Sequence, residues 1–365
     1  MHFNPCLNAI KTYQAGRPIE EVVEKYGIKP QEVIKLASNE NPYGCSKLVL
    51  EALQKKLSFI NLYPDDSMSA LKALLSQKFH ISPENLIIGA GSDQILEFCV
   101  RAKCNEKSKV LMAGITFAMY EIYAKQVGAQ VLKTTSHEHD LEEFLDLYAA
   151  HKPEIIFLCT PNNPLGECLD AKAVEEFLEN IDKECLVILD GAYQEYASYK
   201  DPKKALDPKL FERFGNVILL RTFSKAYGLG GMRMGYGIAE KSLISQLYKM
   251  RPPFNVGTLS LEAACAALGD EVFVRECIAK NFTEMQKYKD FADAHGIEYL
   301  DSWSNFIVFF CEGKRLNSSA LAEAFMQKGI IIRDLASYGM NAVRITIGTE
   351  EQNLKVFSFL QAFLS

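Results

Sequence analysis

No apolar run in the 365-residue sequence approaches the roughly 20 residues that span a bilayer, and Met1 to Ala9 shows no basic segment followed by an apolar one. Neither a membrane span nor a secretory leader is expected, and a soluble cytoplasmic protein is. Positive charge is not in excess: 40 Lys and Arg stand against 46 Asp and Glu, a net charge of −6. No global field therefore draws the chain to nucleic acid or to an anionic membrane, and any recognition of phosphate has to be local. The ten cysteines include no Cys-x-x-Cys pair, and Cys99, Cys159, Cys185 and Cys311 lie in apolar runs where a free thiol behaves as a small hydrophobe. A disulfide framework is excluded. With 22 glycines and 13 prolines the chain is far from collagenous or low-complexity composition, and no internal repeat is visible. The six histidines, at positions 2, 80, 137, 139, 151 and 295, sit mostly in polar or terminal segments. They read as bystanders: His137 and His139 would form a metal pair only with further ligands nearby, an exposed loop is expected there, and no metal is.

What is present is an ordinary globular composition, 48% apolar and 24% charged, in a chain long enough for two domains. Short apolar runs at Leu86–Ile88, Val110–Met112, Ile155–Cys159, Leu186–Leu189 and Val217–Leu220 alternate with helical periodicity such as 140–150 and 171–180. Strands without polar alternation are covered on both faces, so the middle of the chain reads as a doubly wound, mostly parallel α/β sheet domain. Before it, Leu71, Leu74, Leu75 and Phe79 form one stripe of a helix. After about Met250 the texture changes, past the helix-breaking Arg251-Pro252-Pro253, to long helices at 259–268 and 270–294 and strands at 306–310, 330–333 and 343–347. The expected division is an N-terminal arm and part of the small domain (1–38), a large cofactor-binding α/β domain (39–255) and a smaller α+β domain (256–365).

The most informative segment is RTFSKAYGLGGMR, from Arg221 to Arg233, which leaves the strand at 217–220. A glycine-rich turn at the carboxyl end of such a strand is where α/β sheets bind ligands. It fits neither a dinucleotide fingerprint nor a P-loop, because Arg233 stands at the sixth position of the pattern that begins at Gly228 and no Gly-Lys-Ser/Thr occurs. Alone, it reads as a solvated basic loop; against that, Lys225 with Ser224 beside it and Arg233 nearby has a reason to lose its proton, as a Schiff-base lysine requires. Three other strand ends lie in the same crevice. The strand at 186–189 runs into Asp190, then Gly191, Ala192 and Tyr193; that at 155–159 runs into TPNNPLG, with Asn163; that at 86–88 runs into Gly91, Ser92 and Asp93 and opens a helix whose N-terminal amides form an anion cradle. A cradle, an amide, a carboxylate and a lysine with an arginine describe a cofactor with a phosphate, a basic ring nitrogen and an aldehyde.

This spacing resembles fold-type I pyridoxal-phosphate enzymes of the aspartate aminotransferase superfamily. The strings LASNENPYG (36–44), YPD (63–65), TPNNP (160–164), Ser224 with Lys225, and VRITIGT (343–349) are similar to the histidinol-phosphate aminotransferase family, and the likeness runs from about residue 4 to the C-terminus. The resemblance implies that Lys225 carries pyridoxal 5′-phosphate as a Schiff base and shuttles a proton, and that Asp190 keeps the pyridine nitrogen protonated. It implies that Asn163 and Tyr193 bond the ring hydroxyl, that Phe117 stacks on the ring, and that Gly91, Ser92, Asp93, Ser224 and Arg233 hold the phosphate. Tyr63 would reach the phosphate of a neighbouring subunit in a homodimer. Arg333 and Arg344 lie within apolar strands, where an unpaired cation is costly, and with Tyr13 and Asn41 they would line the pocket for histidinol phosphate and glutamate/2-oxoglutarate. Two departures stand out: Gly191 where the family usually has Glu, which would loosen the turn aiming Tyr193, and Ile115 where it often has Pro. The rival activities are an aromatic amino acid aminotransferase, a threonine-phosphate decarboxylase on the same scaffold, and a non-catalytic cofactor-binding regulator, which would normally carry an added DNA-binding segment.

Overall fold

The computed structural model describes residues 1–10, 12, 16–312 and 316–364. Among these, a short strand β1 (Ile34–Lys35) precedes seven strands of one sheet: β2 (Leu86–Ala90), β3 (Lys109–Met112), β4 (Gln130–Lys133), β5 (Ile155–Cys159), β6 (Leu186–Asp190), β7 (Val217–Thr222) and β8 (Met234–Ala239). Their order is β2-β8-β7-β6-β5-β3-β4, with β8 antiparallel to both neighbours and the remaining pairs parallel. The apolar runs arise because alternate side chains of each strand enter different cores. Phe157, Ile188 and Leu220 join Ile95, Phe98 and Tyr120 on one face, while Leu158, Leu189 and Leu219 join Phe144, Val174 and Phe177 on the other. Two strands escape the apolar-run criterion. β4 is an edge strand with no buried residue. β8 carries Gly235, where a Cβ would lie 2.2 Å from the Ser92 amide nitrogen.

The sheet reverses direction of winding at β3: the chain goes outward to β4 and returns to β5 on β3's other side. Ligands of open α/β sheets bind beyond the carboxyl ends of the strands at this point. The loops after β3, β5, β6 and β7 all open there.

The C-terminal sheet, β12-β13-β10-β9, is antiparallel and contains β9 (Tyr299–Leu300), β10 (Phe306–Phe310), β12 (Arg333–Asp334) and β13 (Ala342–Thr346). β11 (Ile330–Ile331) pairs in parallel with β1 instead, so the expected single strand at 330–333 is broken at Ile332 and its halves have different partners. The 25-residue helix Glu271–His295 backs this sheet with Met285, Tyr288 and Ala292. Helix Thr258–Leu268 puts Ala263, Ala264 and Ala267 into the same core as Val49, Leu71 and Leu75. We therefore propose that the large unit extends to about Gly269, past the expected division at 255/256. Of the expected stripe, Leu71 and Leu75 are buried, but Leu74 is exposed. All ten cysteines are free, and no described helix is long and apolar enough to cross a membrane.

Candidate active site

One cavity of about 410 Å³ is lined by Gly91, Ser92, Asp93, Phe117, Asn163, Asp190, Tyr193, Ser224, Lys225 and Arg233. Every cofactor residue expected from the sequence except Tyr63 is thus gathered at the carboxyl edge of the sheet.

At one end, β2 runs through Ala90 into helix Gly91–Lys103, whose first-turn amides have no intrahelical acceptors. Gly91 has φ +79°, and a Cβ there would lie 2.7 Å from Arg233 Nη2, so only glycine lets the guanidinium close over the helix start. Arg233 also donates through Nη1 to Ser224 Oγ at 3.3 Å and to the Gly230 carbonyl at 3.1 Å. Amides, a hydroxyl and a guanidinium therefore converge as an anion cradle. The Asp93 carboxylate accepts the Tyr123 hydroxyl at 2.9 Å, and burial raises its pKa.

At the other end Asp190 closes β6. It is buried and accepts the Tyr120 hydroxyl at 2.7 Å and the Ala192 amide at 3.2 Å. Burial outweighs these two bonds and raises its pKa to about 6. A carboxylate in this position calls for a cation. In the turn after Asp190 the Gly191 N–H donates to the Leu220 carbonyl at 3.0 Å, the same distance at which that oxygen would meet a Cβ. Tyr193 accepts at its hydroxyl from Asn39 Nδ2 at 2.8 Å and meets Phe306 edge-on at 5.4 Å.

Between these ends Lys225 Nζ donates to the Ser38 carbonyl at 3.0 Å and lies 5.8 Å from the Tyr193 ring centre. Burial of the amine, followed by the repulsion of Arg344, lowers its pKa to about 7 against the opposing pull of Glu40. Above that pH the amine is neutral and can attack a carbonyl. Arg344, buried on β13, donates through Nη2 to the Ala37 carbonyl at 2.7 Å and through Nη1 to Asn163 Oδ1. Because that oxygen is engaged, the amide Nδ2 of Asn163 is the end available as a donor.

Arg333 stands directly opposite Arg344 in the sheet register but lines a second cavity of about 540 Å³, with Thr12, Lys125, Lys133 and Tyr338. Phe117 borders both cavities. Asn41 borders neither; it bonds the Ala226 carbonyl and the Tyr43 amide, each at 3.0 Å. Tyr63 is 82% exposed, stacks on Phe254 at 4.5 Å, and takes no part in the cavity of its own chain. Tyr13 lies outside the described residues.

Sequence reasoning missed several members. Tyr120 follows Phe117 by three residues at the start of a helix, a spacing that could have flagged it. Asn39 lies inside LASNENPYG, two residues before the asparagine singled out there. The reading of His139 as a bystander in an exposed loop is corrected: it is buried, stacks on Phe144, and accepts the backbone N–H of Cys159, which lines the cavity. No group of metal ligands occurs among the described residues.

A doubly wound sheet with a buried lysine, a carboxylate and an anion cradle at its switch point defines a fold-type I pyridoxal-phosphate transferase. The chain belongs to the aminotransferase class I and II family, whose sequence model matches residues 31–360. It is 55% identical to the histidinol-phosphate aminotransferase of Sulfurimonas denitrificans over 365 residues, which is all of both chains. It is 56% identical to that of Wolinella succinogenes, covering 100% of this chain and 99% of the relative. The structure of histidinol-phosphate aminotransferase from Sinorhizobium meliloti in complex with pyridoxal-5′-phosphate superposes with a TM-score of 0.90, at 25% identity, covering 99% and 97% of the two chains.

Proposed function

We propose that this chain transfers the amino group of histidinol phosphate to 2-oxoglutarate in histidine biosynthesis, as a cytoplasmic, pyridoxal-phosphate-dependent homodimer. The observation that carries the reading is the single cavity holding a proton-poor Lys225, Asp190 and the Gly91–Arg233 cradle. These residues fit the cofactor: the cradle exists only because Gly91 lacks a Cβ, and the buried Asp190 lacks a cationic partner among its hydrogen bonds. When bound, the cofactor supplies an aldehyde for amine exchange and a ring that withdraws electrons from the reacting carbon.

The chain's own residues do the rest. The amides of Ser92 and Asp93, with Ser224 and Arg233, hold the phosphate. Asp190 holds a proton on the ring nitrogen, with Tyr120 fixing the orientation of its carboxylate. Asn163 Nδ2 and Tyr193 bond the ring hydroxyl, and Phe117 covers one ring face and excludes water. Lys225 Nζ takes up the proton released at the substrate Cα. Arg344 meets the anionic end of either substrate, and Arg333, in the adjoining cavity, adds the second cation that a phosphate dianion needs.

The test is substrate discrimination. Arg333→Ala is expected to lower kcat/KM for histidinol phosphate about 10- to 100-fold and that for glutamate far less, as expected for one charge-assisted hydrogen bond of about 1.5–3 kcal/mol. Arg344→Ala should lower both. A preference for phenylalanine or free histidinol in the parent enzyme would instead define an aromatic aminotransferase, and carbon dioxide release from threonine phosphate without a keto acid would define a decarboxylase.

The homodimer reading rests on the surface around Tyr63. Leu57, Phe59, Ile60 and Leu62 are all about half exposed or more, an apolar patch next to a tyrosine that lies outside the cofactor cavity of its own chain. A second copy covering this patch would carry Tyr63 to the partner's cradle. An equal mixture of Tyr63→Phe and Lys225→Ala chains, each impaired alone, should recover activity up to about a quarter of the parent, since about half of the dimers are then heterodimers and one site of each receives both intact residues. A monomer in sedimentation at assay concentration refutes this.

A further inference from the structure

Behind the cavity wall lies a buried polar chain that the chemistry above does not use. Strand β3 pairs with β5 only as far as Leu111 and Ile156, so the amide of Cys159, at the end of β5, faces away from β6 with no strand beside it. A buried backbone N–H needs an acceptor. His139 supplies it: Nε2 accepts the Cys159 N–H at 3.2 Å, and the ring stacks on Phe144 with centres 5.7 Å apart. Because Nε2 accepts, the ring proton sits on Nδ1 and is donated to Glu167 Oε1 at 3.0 Å. The same carboxylate oxygen accepts Asn162 Nδ2 at 2.7 Å. Asn162 is fully buried; it donates to the Ile115 carbonyl at 2.9 Å and accepts the Thr116 hydroxyl at 2.8 Å. Thr116 precedes Phe117, and Asn162 precedes Asn163. The chain thus ends on the two loops that present a ring face and a ring-hydroxyl donor to the cavity.

We infer that His139 is a positioning residue for the cofactor ring: held as one tautomer, it fixes the end of β5 and, through Glu167 and Asn162, sets Phe117 and Asn163 relative to one another. The inference rests on the cavity being the pyridoxal-phosphate site. Its energetic logic is that of a preorganised site, where a displacement of about 1 Å at the supporting residues costs up to 100-fold in rate.

The informative variant is His139→Phe, which keeps the stack on Phe144 and loses both hydrogen bonds. In the purified holoenzyme we expect the cofactor dissociation constant to rise about tenfold, the induced circular dichroism of the bound cofactor to fall by about half, and kcat to fall about tenfold with KM for histidinol phosphate within about twofold. His139→Asn, which retains a donor toward Glu167, should restore most of the dichroic signal, a rescue that a general loss of stability would not show. Glu167→Ala, which releases both Asn162 and the Nδ1 side of His139 while leaving the histidine's bond to the Cys159 amide, should reproduce the change and carries the test if His139→Phe does not fold. Variants that bind cofactor with unchanged affinity and dichroism, or that lose only melting temperature, overturn the assignment. A parent protein that holds no cofactor overturns the underlying site reading as well, and so is distinguishable from a coloured parent with indifferent variants.

Discussion

Lys225→Ala should lower transamination by at least about 10⁴-fold while leaving a folded protein that still binds cofactor non-covalently. In the proposed mechanism the lysine is required at two points, as the amine that exchanges with substrate and as the base for the Cα proton, and among the described residues no second lysine lines the cavity. Its suitability comes from its setting. Burial and Arg344 hold its pKa near 7, so about half of the amine is neutral near pH 7, whereas an exposed lysine would be almost wholly protonated. The phosphate cradle at Ser92, Ser224 and Arg233 does not depend on the lysine side chain, so retention should persist. Borohydride treatment followed by peptide mapping should place the cofactor on Lys225 in the parent and on no lysine in the variant; undiminished turnover in the variant would end the assignment.

Asp190→Asn should cost on the order of 10³-fold in kcat, because an amide cannot hold the ring nitrogen's proton while charge develops at the reacting carbon. The asparagine Oδ1 would still accept the Ala192 amide, and its Nδ2 would donate to the Tyr120 hydroxyl, which can turn from donor to acceptor, so little rearrangement is expected. Stability separates the chemical from the structural effect. In the cofactor-free protein the carboxyl of Asp190 has a native pKa near 6, above its ordinary value, so the native state binds protons more tightly than the unfolded chain. Stability is therefore lost as pH rises from about 4 through 6, and the full penalty is present at neutral pH. Without cofactor, the variant should be no less stable than the parent at pH 7, even though its holoenzyme is nearly inactive. A variant equally destabilised with and without cofactor would make the defect one of folding.

How much of this was legible depended on where each residue's environment is encoded. β5 and β6 were readable because both faces of each are buried, leaving five consecutive apolar or strand-ending residues. β8 was hidden because its neighbours leave no room: Gly235 abuts the Ser92 amide and Gly237 lies among Ile87, Ile218 and Leu220, so a strand interior is written with turn residues. Lys225, Asp190, Asn163 and Gly91 were found because each lies at the end of an apolar run or on the loop that follows one. His139 was not, since the serine, histidine and acidic residues around it give an exposed signature, and its acceptor role depends on a gap between β3 and β5 that no local pattern records. Arg333 was read as a companion of Arg344, and the register sets the two opposite each other. What the sequence could not show is that the break at Ile332 turns it to a different cavity.

Segment 34–41 joins regions far apart in the chain. Ile34 pairs with Ile330, the Leu36 carbonyl accepts the Thr346 amide, Ser38 receives the Lys225 amine, and Asn41 bonds Ala226. These early residues leave the ribosome first, yet their strand partners are among the last to be made. The large sheet has all its strands once Ala239 has emerged, but the strap over Lys225 cannot be fastened until residues 330–346 have followed. During synthesis the lysine therefore sits in a half-built site, and the enzyme becomes competent only as its final segment docks.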